Sequence, residues 1–416
     1  MKIAFLTLGC KLNFAETATY ERGFIAAGLE VVPWNEAADV YLVNTCSVTA
    51  TADSKSRNLI RKVHRVNPDA RIIVTGCSAE LRRAELEKIE GICRVFGAKE
   101  KGLVVPETLS LLGLEAPEAP AATAVFPAYS AAETRTRAFL KVQDGCNNFC
   151  KYCTVPYARG ESRNLPIAEC VRNAEKIAAE GVKEIVLTGV NTGDFGRSTG
   201  ESFLDLLKAL DGVEGIERYR ISSIEPNLLT EEIVDWIASG TKFQPHFHIP
   251  LQTGSDELLA RMGRRYDTAF FAERLEMIRR KMERPGAPKV FFGIDVMVGL
   301  PGETEALFKQ TFRFIERVHP AFIHVFPYSR RPGTPAAAMP GQVDEATKKH
   351  RVAVLEELCR NLHEDFRAQN RGVRERVLFE STDRGGLMEG YTGNYIRITR
   401  PYDPALVNTL VDIVID

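Results

Sequence analysis

Three cysteines fall within one short string, Cys146, Cys150 and Cys153 in CNNFCKYC, and such a cluster in a chain with nine cysteines points to metal binding rather than to paired disulfides. Three thiolates this close hold three irons of a cubane cluster and leave the fourth iron without a protein ligand, open to a small molecule. Zinc or a chance cluster is the competing reading, but zinc usually takes four ligands with paired spacing, and no fourth ligand lies nearby. Cys10, Cys46 and Cys77 form no linear motif. Each nevertheless closes an apolar run, KIAFLTLGC, DVYLVNTC and RIIVTGC, so in a parallel sheet all three thiols arrive at one edge. Small buried residues at turns are the alternative; the threefold placement favours a second three-cysteine cluster. Cys93 opens a strand and Cys170 and Cys359 sit on apolar helix positions, so these three read as core packing.

The elements that must carry these thiols alternate in type. The chain has 416 residues, 44% hydrophobic and 26% charged, enough for two or three domains with buried cores, which excludes a disulfide-stapled peptide or a disordered chain. Lys and Arg number 54 against 55 Asp and Glu, so no net field draws nucleic acid from a distance and RNA contact must come from local patches. No apolar run approaches the ~20 residues of a membrane span, and the run at 3–8 is short for a signal-peptide core. The expected location is therefore cytoplasmic, with no membrane partner.

Residues 3–7, 40–44, 72–75 and 94–97 read as strands, with helices at 13–27, 52–66 and 79–89 and a fourth after 97. That rhythm predicts an α/β, flavodoxin-like parallel sheet over 1–113. Residues 114–134, rich in Ala and Pro, read as a linker. Six strands near 138–142, 184–187, 217–221, 247–251, 290–294 and 322–326 alternate with helices over 135–371, ending in a long helix at 344–370. They predict an open partial (βα)6 barrel whose ligands sit at the carboxyl ends of the strands. Residues 372–416 change to strand and turn, with strands at 377–380, 391–399 and 410–415, a small β module.

The loop VQDGCNNFCKYCTVPYARG resembles the signature of the radical S-adenosylmethionine (SAM) enzymes. Joined to LGCKLN, NTCSVT and GCSAE and to the terminal β module, it makes the chain resemble the radical SAM methylthiotransferase family along essentially its whole length. The resemblance implies two 4Fe-4S clusters, one on Cys146, Cys150 and Cys153 and one on Cys10, Cys46 and Cys77. It implies that SAM chelates the open iron of the first and is cleaved to methionine and a 5'-deoxyadenosyl radical, with Tyr152 close to the adenine. Two SAM molecules are then consumed per product, one donating a methyl group to sulfur. The terminal module resembles the TRAM domain, an OB-like RNA-binding barrel, and is short enough that a closing strand is expected to be missing.

Other positions fit a SAM pocket. The turn Thr188-Gly189-Val190-Asn191-Thr192-Gly193 follows the second barrel strand, where bare backbone N–H groups can approach the SAM amino acid moiety. Glu225 ends the third strand, as an acceptor for ribose hydroxyls or as a cap of the Pro226 turn. Gln252 ends the fourth. Asp295 lies in GIDVMVGLPGET, which resembles the segment contacting adenine through its backbone, and is either catalytic or structural. His246 and His248 share one strand face and read as pocket packing.

Within the family the substrate is a tRNA adenosine or an aspartate of a ribosomal protein. LGCKLNFAET and NTCSVTATADSKSR look most like the branch acting on N6-threonylcarbamoyladenosine beside the tRNA anticodon, and less like the isopentenyladenosine branch. The expected partners are tRNA, a reducing electron donor and a sulfide donor. Two basic groups are compatible with RNA or with solvated helix faces: Lys55, Arg57, Arg61, Lys62 and Arg65, and Arg261, Arg264, Arg265 and Arg279. A carboxylated base needs a cation in the pocket, for which Arg159, Arg330 and Arg331 are candidates. The reading from another class is a non-catalytic iron-sulfur or zinc RNA-binding sensor. A dehydrogenase or NTPase lacks its phosphate cradle here, since no G-x-G-x-x-G follows a strand and there is no Walker loop.

Overall fold

Alternation of buried strands and amphipathic helices builds the first unit. The computed structural model describes residues 1–47, 49–116, 125–130 and 136–416. Strands β1 (Lys2–Thr7), β2 (Glu30–Val31), β3 (Val40–Thr45), β4 (Arg71–Gly76) and β5 (Ile92–Val95) form a parallel sheet in the order β2-β1-β3-β4-β5. Helices α1 (Lys11–Ala26), α2 (Ala50–Val66), α3 (Cys77–Leu81), α4 (Arg83–Leu86) and α5 (Val104–Leu111) accompany it. Successive residues of a strand point to opposite faces, so Tyr41 and Val43 join one core while Val40 and Leu42 join the other, and every residue of β3 is buried. The single helix expected at 79–89 is two short ones. Arg82 leaves helical geometry (φ −136°, ψ 33°) where its guanidinium turns to Asp53 (3.5 Å) and Glu85 (3.1 Å).

The second unit begins with β6 (Arg137–Lys141) and the short pair β7 (Gln143–Asp144) and β8 (Arg163–Asn164). It continues through β9 (Glu184–Thr188), β10 (Arg218–Ile221), β11 (His246–Gln252), β12 (Phe291–Val298) and β13 (Phe322–Pro327). The sheets β10-β9-β6 and β11-β12-β13 are parallel throughout and meet through bridges Tyr219–Phe243 and Ser223–His248, giving an open barrel of six strands, as the sequence predicts. Around it run α6 (Val155–Arg159), α7 (Ile167–Ala179), α8 (Phe203–Asp211), α9 (Glu231–Ala238), α10 (Asp256–Arg261), α11 (Thr268–Met282), α12 (Glu305–Val318), α13 (Pro335–Ala338) and α14 (Glu345–Gln369). Ser202, Thr230, Ser255, Asp267, Thr304 and Asp344 cap six of these helices through side-chain oxygens, which fixes where each begins.

At the edge strand β6, the first unit docks: Ala15 of α1 packs with Phe139 and Val186. Of the linker expected at 114–134, residues 117–124 and 131–135 lie outside the described residues. Residues 125–130 are packed against both units. Val125 enters the barrel core, Phe126 stacks on Tyr20 at 5.2 Å, and the Lys141 N–H donates to the Ala128 carbonyl at 3.0 Å.

The chain ends in a four-stranded antiparallel sheet, order β16-β15-β14-β17, from β14 (Arg374–Phe379), β15 (Leu387–Tyr391), β16 (Arg397–Pro401) and β17 (Leu410–Val414). Within the strand expected at 391–399, residues 392–396 form a turn that separates β15 from β16. Thr392 closes it, its N–H donating to the Ile396 carbonyl (3.0 Å) and its hydroxyl accepting from the Ile396 N–H (2.8 Å). The turn also seats the sheet on the barrel, because buried Arg220 donates to the carbonyls of Gly393 (2.7 Å) and Thr392 (2.8 Å). Among the described residues no helix is long and apolar enough to cross a membrane.

Candidate functional site

The loop after β7 places Cys146, Cys150 and Cys153. Gly145 must be glycine: its φ is 75°, and a Cβ there would run into the Glu161 carbonyl. Backbone N–H groups of Asn148 and Val155 point at Cys146 Sγ and Cys153 Sγ, both at 3.4 Å, and Arg264 Nη1 donates to Cys150 Sγ at 3.1 Å. Donors aimed at sulfur are what a cluster thiolate needs, so the loop fits an iron-sulfur cluster. Burial pushes the Cys153 thiol up to about 12 and raises that of Cys146, a penalty on the thiolates that the positive charge of a bound metal would offset.

Arg264 organises the surroundings. Its Nη1 also lies 3.3 Å from the Tyr152 hydroxyl, and its Nη2 donates to both Glu225 oxygens (2.7 and 2.6 Å) and to Tyr266 (2.8 Å). Glu225 is therefore held at the cluster loop as the partner of a buried guanidinium, and its own N–H donates to Asn191 Oδ1 at 3.2 Å. The turn at Gly189 and Asn191 differs from the expectation of bare donors: Gln143 Oε1 accepts from the N–H groups of Val190 (2.9 Å) and Asn191 (3.0 Å), so these two are already used. A Cβ at Gly189 would press on that same Gln143 oxygen. Gln252 ends β11 in a left-handed conformation (φ 74°) at an irregular register, which turns the chain out of the strand. Asp295 caps no helix. Its Oδ1 lies 2.8 Å from His248 Nε2, and His324 stacks on His248 at 4.9 Å, the three forming a group with metal-ligating atoms. His246 is packing, as expected, stacked on Phe291 at 4.9 Å.

Cys10, Cys46 and Cys77 follow the carboxyl ends of β1, β3 and β4, and the structure brings them together. Gly9 is pressed so closely on Cys46 that a Cβ would lie 2.8 Å from the Cys46 Cβ, and Ser78 donates to the Cys46 carbonyl at 2.9 Å. Burial raises the Cys77 thiol, with the buried Arg159 guanidinium opposing it and Cys10 adding to it. Short helix α3, which Cys77 opens, packs on α6, which begins just after Cys153. The elements that carry the two triads thus pack together at the interface between the units. Cys170 and Cys359 lie in the barrel core as expected, whereas Cys93 is exposed at the sheet's edge strand rather than packed.

A buried charge network spans that interface. Glu16 Oε1 receives Lys101 Nζ (2.7 Å), Lys141 Nζ (2.8 Å) and Arg159 Nη1 (3.2 Å); Asp144 takes Lys141 (2.6 Å) and the same Arg159 nitrogen (2.9 Å). Arg159 Nη2 donates to Asn13 Oδ1 (2.6 Å), and Asn13 in turn donates to the carbonyls of Leu8 (2.7 Å) and Thr45 (3.0 Å), beside Cys10 and Cys46.

A cavity of about 1130 Å³ fills the barrel lumen from Cys10, Lys11, Thr188 and Gly189 to Tyr395 and Arg397 of the terminal sheet. That is room for a modified nucleoside. None of the three arginines expected to serve a carboxylate lines it. Arg159 is spent in the charge network, Arg331 is buried against Asp53, and Arg330 Nε donates to the Ala337 carbonyl at 2.7 Å. Lys11 lines the cavity instead; it is exposed to the open lumen, and the protein crowded around it, then Arg137 and Arg220, lower its pKa to about 8. Its position directly after Cys10 was the available signal. Gln143 had a weaker one, three residues before Cys146, and nothing in its local spacing marked Arg264.

Residues 2–97 match the family described as uncharacterized protein family UPF0004, and residues 140–315 match the radical SAM superfamily. The threonylcarbamoyladenosine tRNA methylthiotransferase MtaB of Bacillus subtilis (strain 168) is 39% identical over 95% of this chain and 89% of its own length. The protein of the same name from Aquifex aeolicus (strain VF5) is 36% identical over 96% and 97%. Among solved structures, the radical SAM methyltransferase TsrM of Kitasatospora setae superposes with a TM-score of 0.57 at 16% identity, covering 81% of this chain and 77% of that one, a likeness of fold.

Proposed function

The chain belongs to the threonylcarbamoyladenosine tRNA methylthiotransferase family, and on that premise we propose that it transfers a methylthio group to C2 of N6-threonylcarbamoyladenosine beside the anticodon of tRNA. It is a radical SAM enzyme with an iron-sulfur cluster and SAM as cofactors and tRNA as substrate. One observation supports the assignment beyond the family: the elements that carry the two cysteine triads pack on each other across one interface, α3 on α6, and Cys10 lines a nucleoside-sized cavity.

Cys146, Cys150 and Cys153 would hold one 4Fe-4S cluster and Cys10, Cys46 and Cys77 a second. When bound, the first supplies the electron that cleaves SAM and the second supplies sulfur, two SAM molecules being used per product. The chain's own residues place the reactants. Arg264 orients Cys150, Tyr152 and Glu225 as one rigid group, and Gln143 fixes the Gly189–Asn191 turn beside them. The barrel walls keep a reactive radical from water. A reducing electron donor and a sulfide donor complete the reaction. Exposed Lys55, Arg61, Lys62 and Arg65 on α2 and Arg374, Arg376, Arg384 and Arg397 on the TRAM-like terminal sheet are the phosphate contacts we assign to tRNA.

Anaerobically reconstituted protein should hold about eight irons per chain, two cubanes' worth, falling to about four when Cys10, Cys46 and Cys77 are replaced by Ala. A count near four that those replacements leave unchanged would overturn the two-cluster proposal. Nucleoside mass spectrometry on tRNA treated with the protein should show the adenosine gaining one methylthio group.

A further inference from the structure

The cavity carries more positive than negative charge, and most of its cations are already committed. Arg137 is paired to Glu380 (2.6 Å) and donates to the Tyr395 hydroxyl (3.0 Å). Arg220 is paired to Glu184 (2.7 Å) and caps the Gly393 and Thr392 carbonyls, and Arg397 pairs with Glu389 (3.2 Å). Arg384, in the turn between β14 and β15, lies 3.6 Å from Glu389, and Arg367 comes from α14. Lys11 and Arg367 differ from the rest: neither makes an ion pair or side-chain hydrogen bond among the described residues. Of the two, Lys11 is the one that adjoins Cys10 at the start of α1.

Its backbone setting is also unusual. Lys11 is the first residue of α1, a helix of 16 residues whose N-cap, Cys10, makes no side-chain capping bond. The positive end of the helix dipole and its uncapped N–H groups favour an anion there and disfavour a lysine, so the local sequence runs against ordinary helix preference at this position. Such violations are expected where a ligand offsets them. An anion arriving in the cavity beside Cys10 would meet the ammonium group and the free amides together.

Resting on the function proposed above, we infer that Lys11 binds the carboxylate of the N6-threonylcarbamoyl group and so makes this chain select a base with an anionic N6 substituent. Adenine C2 must come to the sulfur delivered at Cys10, and N6 is separated from C2 only by the N1 side of the ring. The residue following Cys10 is therefore placed where the substituent must lie. Lys11 thereby takes the role that Arg159, Arg330 and Arg331, committed elsewhere, do not fill.

The test uses reconstituted full-length protein and anticodon stem-loop RNAs carrying the threonylcarbamoyl group either as the free acid or as its neutral carboxamide. Wild-type protein should favour the acid by roughly ten- to hundred-fold in kcat/KM, the size of one charge-assisted hydrogen bond. Lys11→Met should lose that preference, mostly through a raised KM for the acid, with iron content unchanged; Lys11→Arg should keep most of it. A Lys11→Met protein that retains the acid preference, or that loses both RNAs equally, overturns the assignment of Lys11 alone. Wild-type protein that modifies neither RNA overturns the functional proposal, and the Lys11 assignment with it.

Discussion

Replacing Glu16 with Gln should separate the two halves of the site before it unfolds either. Glu16 is 0% exposed and lies on α1, while two of its three cationic partners, Lys141 and Arg159, belong to the barrel unit. Counting the fully buried groups, Lys101, Lys141 and Arg159 give three positive charges against the two of Glu16 and Asp144, a net +1; the substitution makes it +2. Removing one partner of a buried ion pair costs about 3–5 kcal/mol, because the others stay buried and uncompensated. For a cooperative unit of 150 to 250 residues, each kcal/mol moves Tm by roughly 2–4 °C, so a drop of roughly 6–20 °C is expected in calorimetry of the metal-free protein. Adding Lys101→Met returns the net charge to +1 and should recover at least half of that loss. A shift under about 2 °C, or a double variant that loses the sum of both single losses, would refute the account. The acid limb gives an independent check. Burial alone would raise the Glu16 carboxyl, but Lys101, Lys141 and Arg159 outweigh it and hold it well below the usual carboxylate range. A depressed folded value means its contribution is complete above the unfolded value near 4.5 and is lost as pH falls through the folded one. The gap between wild type and Glu16→Gln should therefore be constant from pH 7 to about 5 and close below it.

Two further outcomes follow from the cluster loop. Arg264→Met releases Cys150, Tyr152 and Glu225 at once and should slow reductive SAM cleavage by about 10- to 100-fold while iron content stays near that of wild type; a rate within twofold would count against the role given to Arg264. Gly145→Ala sets a Cβ against the backbone carbonyl of Glu161 at a φ of 75°, strain on the order of 1–3 kcal/mol that no side-chain movement relieves. The visible cluster absorbance should fall by about half, the share of the first triad, and retention of full absorbance would show that the loop tolerates the substitution.

The α/β class and the six-stranded barrel were legible because parallel sheets covered on both faces write themselves as apolar runs separated by helical periods, as at Val40–Thr45 and Glu184–Thr188. The convergence of Cys10, Cys46 and Cys77 was legible for the same reason, since strands that run the same way end on the same side. Side-chain partnerships carry no such signal. Arg264 looked like one of four surface cations, and only its return to Glu225 and Cys150 shows otherwise. Of the N–H groups expected to be open in the Gly189 turn, those of Val190 and Asn191 are taken because Gln143, from a two-residue strand too short to be read, supplies the acceptor. The turn at 392–396 hid inside an apparent strand because Thr392, Asn394 and Ile396 are buried against the barrel, so tertiary packing outweighs local preference there.

The charge network also decides what kind of contact joins the two triads. Domains meeting through a modest polar interface ordinarily move relative to each other. A reaction that needs a radical centre and a sulfur centre to address one base cannot tolerate that freedom, since misplacement by about 1 Å can cost a hundredfold in rate. Apolar packing such as Ala15 on Phe139 supplies adhesion but little direction. Arg159 supplies direction: its planar group bonds Asp144, two residues before Cys146, and Asn13, three after Cys10, so one rigid fork spans the loops of both triads. Buried ion networks contribute little net stability over apolar replacements of equal volume, and their retention is best explained by the orientation they impose. On that basis the Glu16, Asp144 and Arg159 set serves chiefly to hold two sheet edges in one register, and an apolar redesign of all its members should leave a stable fold whose two halves no longer act on the same base.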